Sequence, residues 1–224
     1  MDYTLQFGQI WPYLPRLLGG AVLTLQIAVL AFCGGLLIGT AGAAIKTFGP
    51  GWARAGVGGY VTFFTNTPQL VQIYFLYFAL PDLGILLSSY AAVLIGMTLN
   101  AGAYLTEIQR AGFQSRRQSE MDAAEVLGFS RMQQIRYVIL PHIARILFPP
   151  LSNQFIIITL GTSMAAIFGV EELTGEAFNI NAQTFRSLEI FSVTAAIYVA
   201  LTLVASVLLG LIGTFAFRAK MRLA

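Results

Sequence analysis

Charged residues along the chain fall in bunches and leave five long uncharged stretches, 17–45, 55–81, 83–106, 146–170 and 190–217. These hold 29, 27, 24, 25 and 28 residues, mostly Leu, Ile, Val, Ala and Phe with interspersed Gly and Ser. Each exceeds the about 20 residues that a helix needs to cross a hydrocarbon core. A helix satisfies its backbone polar groups without help from water. A transmembrane barrel would instead show alternating segments of about 10 residues. The pattern predicts an all-α membrane protein with five transmembrane helices in a single domain over 1–224. Spans one to three fall within 17–113, a polar connection covers 114–142, and spans four and five fall within 143–218.

Composition narrows the function classes. The chain is 57% hydrophobic and only 10% charged, against roughly 25% charged in soluble domains. A water-soluble enzyme or a nucleic-acid binder is excluded on that ground. The single cysteine, Cys33, leaves no internal disulfide, and the single histidine, His142, leaves no site built on two imidazoles. No metal or cofactor is expected on this chain.

The net charge of +3 is a sidedness signal. One side of the five-span arrangement receives Lys46, Arg54, Arg110, Arg116, Arg117, Arg131, Arg136, Arg145, Arg218, Lys220 and Arg222, which is 11 of the 13 basic residues. The other side holds Arg16 and Arg186 with Asp2, Asp82, Glu171, Glu172, Glu176 and Glu189. The positive-inside rule then places the C-terminus in the cytoplasm and the N-terminus outside. Residues 1–16, with Tyr3, Phe7, Trp11 and Tyr13, read as an interfacial segment rather than a cleaved signal peptide, since a basic n-region is lacking.

Polar groups inside the spans are candidate pathway residues, because at membrane depth they are tolerated where they face protein or water. Asn100, Tyr104 and Glu107 recur at helical spacing in span three. Gln154 and Thr162, eight apart, share a face of span four, with Ser163 alongside. Interhelical hydrogen bonding is the competing reading of these groups, and Arg110 is placed to pair with Glu107. Pro149, Pro150 and Gly161 predict a bent fourth span. In span one, Ala31, Gly35, Gly39 and Ala43 form a stripe of small side chains that lets another helix approach closely. Neither a GxxxxGK[ST] phosphate loop nor a Gly-x-Ser-x-Gly nucleophile turn occurs in the sequence.

Residues 107–145 carry 10 of the 23 charged residues. Ser119 followed by Asp122 predicts a helix start, Ala123 to Leu127 favour helix, and Gly128 supplies the stop. Ser130 and Gln133 form a second capping box, opening a helix that Pro141 is expected to interrupt. The first helix presents Met121, Ala124 and Gly128, a low-bulk apolar face suited to a groove on a partner protein. Attraction to anionic lipid is the alternative, but the acids interleaved with the arginines favour docking.

Here a family resemblance emerges. Asp122-Ala123-Ala124, three residues, Gly128, nine residues, then Val138-Ile139-Leu140-Pro141 resembles the EAA loop of permease subunits of bacterial ABC importers. Thr67-Pro68 with Leu70-Val71-Gln72, Ala103-Tyr104 with Thr106-Glu107 and Arg110-Ala111, and Pro149-Pro150-Leu151-Ser152-Asn153 with Phe155 extend it toward the polar amino-acid branch. The resemblance implies a type I importer permease in the bacterial inner membrane that moves a polar amino acid inward by alternating access. It makes 119–128 the coupling helix, with Asp122, Ala123, Ala124, Gly128, Leu140 and Pro141 engaging the motor. Implied partners are ABC ATPase subunits carrying ATP and Mg, a second permease copy or homologous permease, a soluble binding protein outside, and membrane lipid. The sequence departs from the family pattern at Asp122, where Glu is usual, and at Thr65-Asn66 and Leu160-Gly161, where relatives often carry charge. A channel or ion-coupled carrier is the rival from another class, but it expects intramembrane charges, and the spans have them only near their ends.

Overall fold

A computed structural model describes residues 4–115 and 118–217. Asp2, Tyr3, Arg116, Arg117, Arg218, Lys220 and Arg222 therefore lie outside the described residues. All regular structure within them is helical.

Four helical runs are long and apolar enough to cross a membrane: Phe7–Phe48, Ser89–Gln114, Arg131–Phe168 and Ser187–Phe217. They contain α1 (Leu14–Phe48), α4 (Ser89–Gln114), α7 (Leu140–Gly161) and α9 (Ser187–Phe217). The remaining expected span, 55–81, is not one helix. It is divided into α2 (Gly51–Asn66), α3 (Gln69–Tyr74), a π-helical turn Phe75–Ala79 and a 3-10 turn Leu80–Leu83. Pro68 is the physical reason: it has no N–H to continue the ladder, and it drives the residue before it out of the α region. Thr67 accordingly sits extended at φ −118° and ψ 142°.

The small-residue stripe of α1 is spent on α4. A Cβ added at Gly35 would lie 2.7 Å from the Ala101 Cβ, and one at Gly39 would lie 2.7 Å from the Leu105 Cβ. The two backbones thus approach as closely as glycine allows, with Ala31 and Ala43 fully buried at either end. The main core joins these helices to α7 through Ile27, Ile73, Met97, Leu105, Ile158 and Phe168.

Pro141 does not interrupt the second loop helix as expected. α6 (Arg131–Gln134) opens on a complete Ser130–Gln133 capping box, widens into a π-helical turn Ile135–Ile139 and continues directly into α7. Both π turns end two residues before a proline, Pro81 and Pro141. Widening the helix there lets a residue without an N–H, whose ring crowds the preceding turn, be accommodated without a break. Ser119 also departs from expectation: it lies within α5 (Gln118–Val126) and not at its cap.

A second core, of Ile10, Leu17, Leu173, Ile180 and Ile190, packs the N-terminal turns and α8 (Leu173–Thr184) against α1 and α9. Glu172, fully buried at the start of α8, ties it together. It accepts hydrogen bonds from Thr24 Oγ1 at 3.0 Å, Tyr198 Oη at 2.9 Å and the Thr174 and Gly175 N–H groups at 3.0 and 3.1 Å. At the same end Arg16 pairs with Glu176 at 2.8 Å, and the Gln6 N–H donates to Glu189 at 3.0 Å.

Candidate functional site

The break at Thr67-Pro68 creates an unfilled acceptor. In an uninterrupted helix the N–H of residue 68 would serve the Phe64 carbonyl, and proline has none. Two side-chain amides take its place. Gln72 Nε2 donates to the Phe64 carbonyl at 3.0 Å, and lies 3.1 and 2.7 Å from the Thr67 carbonyl and hydroxyl. Asn100 Nδ2, reaching across from α4, donates to the same Phe64 carbonyl at 3.2 Å and to Gln72 Oε1 at 3.0 Å. The opened helix is thus held by buried amides, as irregular backbone at membrane depth requires.

Beside this break lies a cleft of about 570 Å³. The break contributes Thr65, Asn66, Thr67 and Gln69; α4 contributes Met97, Asn100 and Tyr104; and α7 contributes Gln154, Ile157 and Ile158. Its lining among the described residues holds amides, hydroxyls and apolar carbon but no charged side chain. Gln154 is nine-tenths buried, and its amide makes no hydrogen bond to another of the described residues. Asn100 commits its Nδ2 to the break and keeps its Oδ1 for other partners. Tyr104 is 41% exposed. An amide offers both donor and acceptor, so the cleft can hold the two ends of a zwitterion without a fixed charge.

Of the pathway residues expected from sequence, Asn100, Tyr104 and Gln154 meet in this cleft, and three others do not line it. Glu107 is the centre of an ion-pair cluster with Lys46 and with Arg110, the latter at 2.7 Å, and joins the ends of α1 and α4. Thr162 is fully buried on the 3-10 turn Thr162–Phe168 and donates to the Thr159 carbonyl at 2.8 Å. Ser163 donates to the Leu160 carbonyl at 2.9 Å. Asn66 and Gln69 were missed. Their signal was the proline between them, inside an otherwise uninterrupted apolar run.

The loop residues are placed by α5 and by the start of α7. Gly128 adopts φ +77°, with its N–H donating to Glu125 and the Phe129 N–H donating to Ala124. This is a Schellman stop, which favours glycine. Of the expected docking face, Ala124 is 3% exposed and packs within the chain, Met121 is half-buried and Gly128 is exposed. Asp122 and Ala123 point outward, and the exposed apolar groups beside them are Val126 at 88% and Leu127 at 72%. Leu140 is exposed, with Pro141 following it in the first turn of α7.

The charged clusters mark opposite ends of the molecule. Arg16 and Lys46, near the two ends of α1, are separated by about 45 Å at 1.5 Å of rise per residue. That is enough to span a bilayer core of about 30 Å with a polar layer on each side.

Comparisons with known proteins agree with this architecture. The chain matches the family model of the binding-protein-dependent transport system inner membrane component over residues 34–218. It is 42% identical over 205 residues to the glutamine transport system permease protein GlnP of Escherichia coli (strain K12), covering 89% of this chain and 92% of that one. It is 30% identical to the octopine transport system permease protein OccM of Rhizobium radiobacter, covering 87% and 83%. The crystal structure of an amino acid ABC transporter with histidines contains a chain of the same fold, with a TM-score of 0.87 and 31% identity, covering 94% of this chain and 99% of that one. The chain has the type I ABC importer permease fold, and it belongs to the family of binding-protein-dependent inner-membrane components as an amino-acid ABC transporter permease.

Proposed function

We propose that this permease carries an uncharged polar amino acid, glutamine first among the candidates, from outside into the cytoplasm. The observation that carries the reading is the cleft. Its polar groups are neutral amides and hydroxyls, so it matches a zwitterion whose side chain is also neutral, whereas an acidic or basic side chain would be desolvated there without a counter-charge. The 42% identity to a permease named for glutamine supports the same class. The Asn100 carbonyl serves the substrate ammonium. The Tyr104 hydroxyl and the Gln154 amide serve its carboxylate and side chain.

In this reading the chain crosses the membrane five times, with the interrupted segment 51–83 as the second crossing. The N-terminus is outside and the C-terminus cytoplasmic. The work is done on separate ATPase subunits that bind ATP and Mg²⁺. These grip α5 through Ala123, Val126 and Leu127, with Asp122, Gly128, Leu140 and Pro141 setting the shape of the contact. A second permease subunit completes the path, and a soluble binding protein delivers substrate. The break at Thr67-Pro68 is the hinge, since its hydrogen bonds run to side chains that can exchange partners.

The test is uptake into proteoliposomes holding permease, ATPase and binding protein. Replacing Asn100 and Gln154 together with alanine is expected to abolish substrate-stimulated ATP hydrolysis and uptake while the complex still assembles. Unchanged transport by that variant would remove the cleft from the pathway.

A further inference from the structure

We propose that His142 is a positioning residue whose protonated ring ties α5 to α7, so that the grip of the ATPase on α5 is transmitted to the spans most firmly when the imidazole is charged. The inference rests on the importer reading above, with α5 as the element that the ATPase moves.

His142 lies in the first turn of α7, directly after Pro141. Its Nε2 is 3.2 Å from the Ser115 carbonyl at the end of α4, and its Nδ1 is 3.6 Å from Glu120 Oε2 on α5. Both partners are acceptors. A neutral imidazole carries one N–H, so serving Ser115 through Nε2 leaves a bare lone pair on Nδ1 facing a carboxylate. The imidazolium has two N–H groups, satisfies the carbonyl and attracts the carboxylate. The three-way contact among α4, α5 and α7 is therefore complete only in the charged state.

The ring is largely shielded, with 19% of its side chain exposed against 40% for Glu120. From α5 the charged group facing it is Glu120, which has other interactions as well. From α4 it meets the Ser115 carbonyl, and the nearest described charge on that helix, Arg110, is engaged by Glu107. On its own helix Arg145 is three residues on and donates to the Phe217 carbonyl at 3.3 Å. Arg116 and Arg117 lie outside the described residues. The second N–H, and with it the hold on Glu120, is present only while the ring carries its added proton.

The experiment uses the complete transporter in proteoliposomes with the pH on the ATPase side set between 5.5 and 8.5. Substrate taken up per ATP hydrolysed is compared between wild type and His142→Ala. The expected result is a wild-type advantage of about threefold at the acid end, the size of one partly exposed charge pair, vanishing at the alkaline end. Glu120→Gln should flatten the wild-type profile in the same way, and it carries the test if His142→Ala fails to assemble. A wild-type to variant ratio that stays constant with pH overturns the inference. If wild-type protein shows no ATP-dependent uptake at any pH, the importer reading fails and takes the inference with it.

Discussion

Replacing Gln72 with leucine tests whether buried amides hold the second crossing open. The side chains have similar volume, so the change removes polarity more than packing. Gln72 donates two hydrogens among the Phe64 carbonyl, the Thr67 carbonyl and the Thr67 hydroxyl, and accepts one from Asn100. Three hydrogen bonds at about 1 kcal/mol each give a loss of about 3 kcal/mol. Bonds between membrane helices average nearer 0.6 kcal/mol, which sets a floor of about 2 kcal/mol. Asn100→Leu removes two bonds, to Phe64 and to Gln72, for about 1–2 kcal/mol. Because the Asn100–Gln72 bond is lost in either variant, the double variant should fall short of the sum by about 1 kcal/mol. The assay is reversible unfolding of the purified permease in bicelles, followed by circular dichroism. Single losses below about 0.5 kcal/mol with strict additivity would refute the reasoning, since the Phe64 carbonyl would then be satisfied without these amides.

Two further predictions concern the frame. Gly39→Leu should destabilise the permease by about 3 kcal/mol, because its Cβ meets the Leu105 Cβ at 2.7 Å and Leu105 backbone at 2.8 Å. Gly56→Ala, with nothing within 4 Å, should be neutral or stabilising by up to about 1 kcal/mol; thermal unfolding of the two side by side reads both. Glu172→Ala strands the donors of Thr24, Tyr198, Thr174 and Gly175, and should lower stability by about 3 kcal/mol. Glu172→Gln keeps one acceptor oxygen and should recover part of that loss in the same measurement.

Much of the frame was legible because membrane helices have few ways to be built. The uncharged runs located the helices, and the Ala31–Gly35–Gly39–Ala43 stripe marked a close approach whose partner proved to be α4. The Ser130–Gln133 box and the Gly128 stop formed as read, since capping depends on residues within one turn. What sequence spacing misjudged was proline. Pro68 opened a run that hydropathy treats as continuous, and Pro141 was absorbed by a π turn that no composition signal marks. The cleft was half legible for a related reason. Helical spacing brought Asn100, Tyr104 and Gln154 to one cleft, but spacing cannot tell a side chain facing a cleft from one satisfied by its own helix, as Thr162 and Ser163 are. Nor did it show that Ala124 packs inward, because Ala123 and Ala124 are identical side chains and only the packing of the fold decides which is covered.

The central claim is ATP-driven import of an uncharged polar amino acid through this chain. Its most direct test is uptake of radiolabelled glutamine by proteoliposomes with the ATPase side sealed inside and binding protein supplied outside. Uptake should require enclosed ATP and the ATPase subunit, and excess arginine or glutamate should fail to compete. Glutamine entry that continues without ATP or without the ATPase would contradict it and favour a channel or carrier.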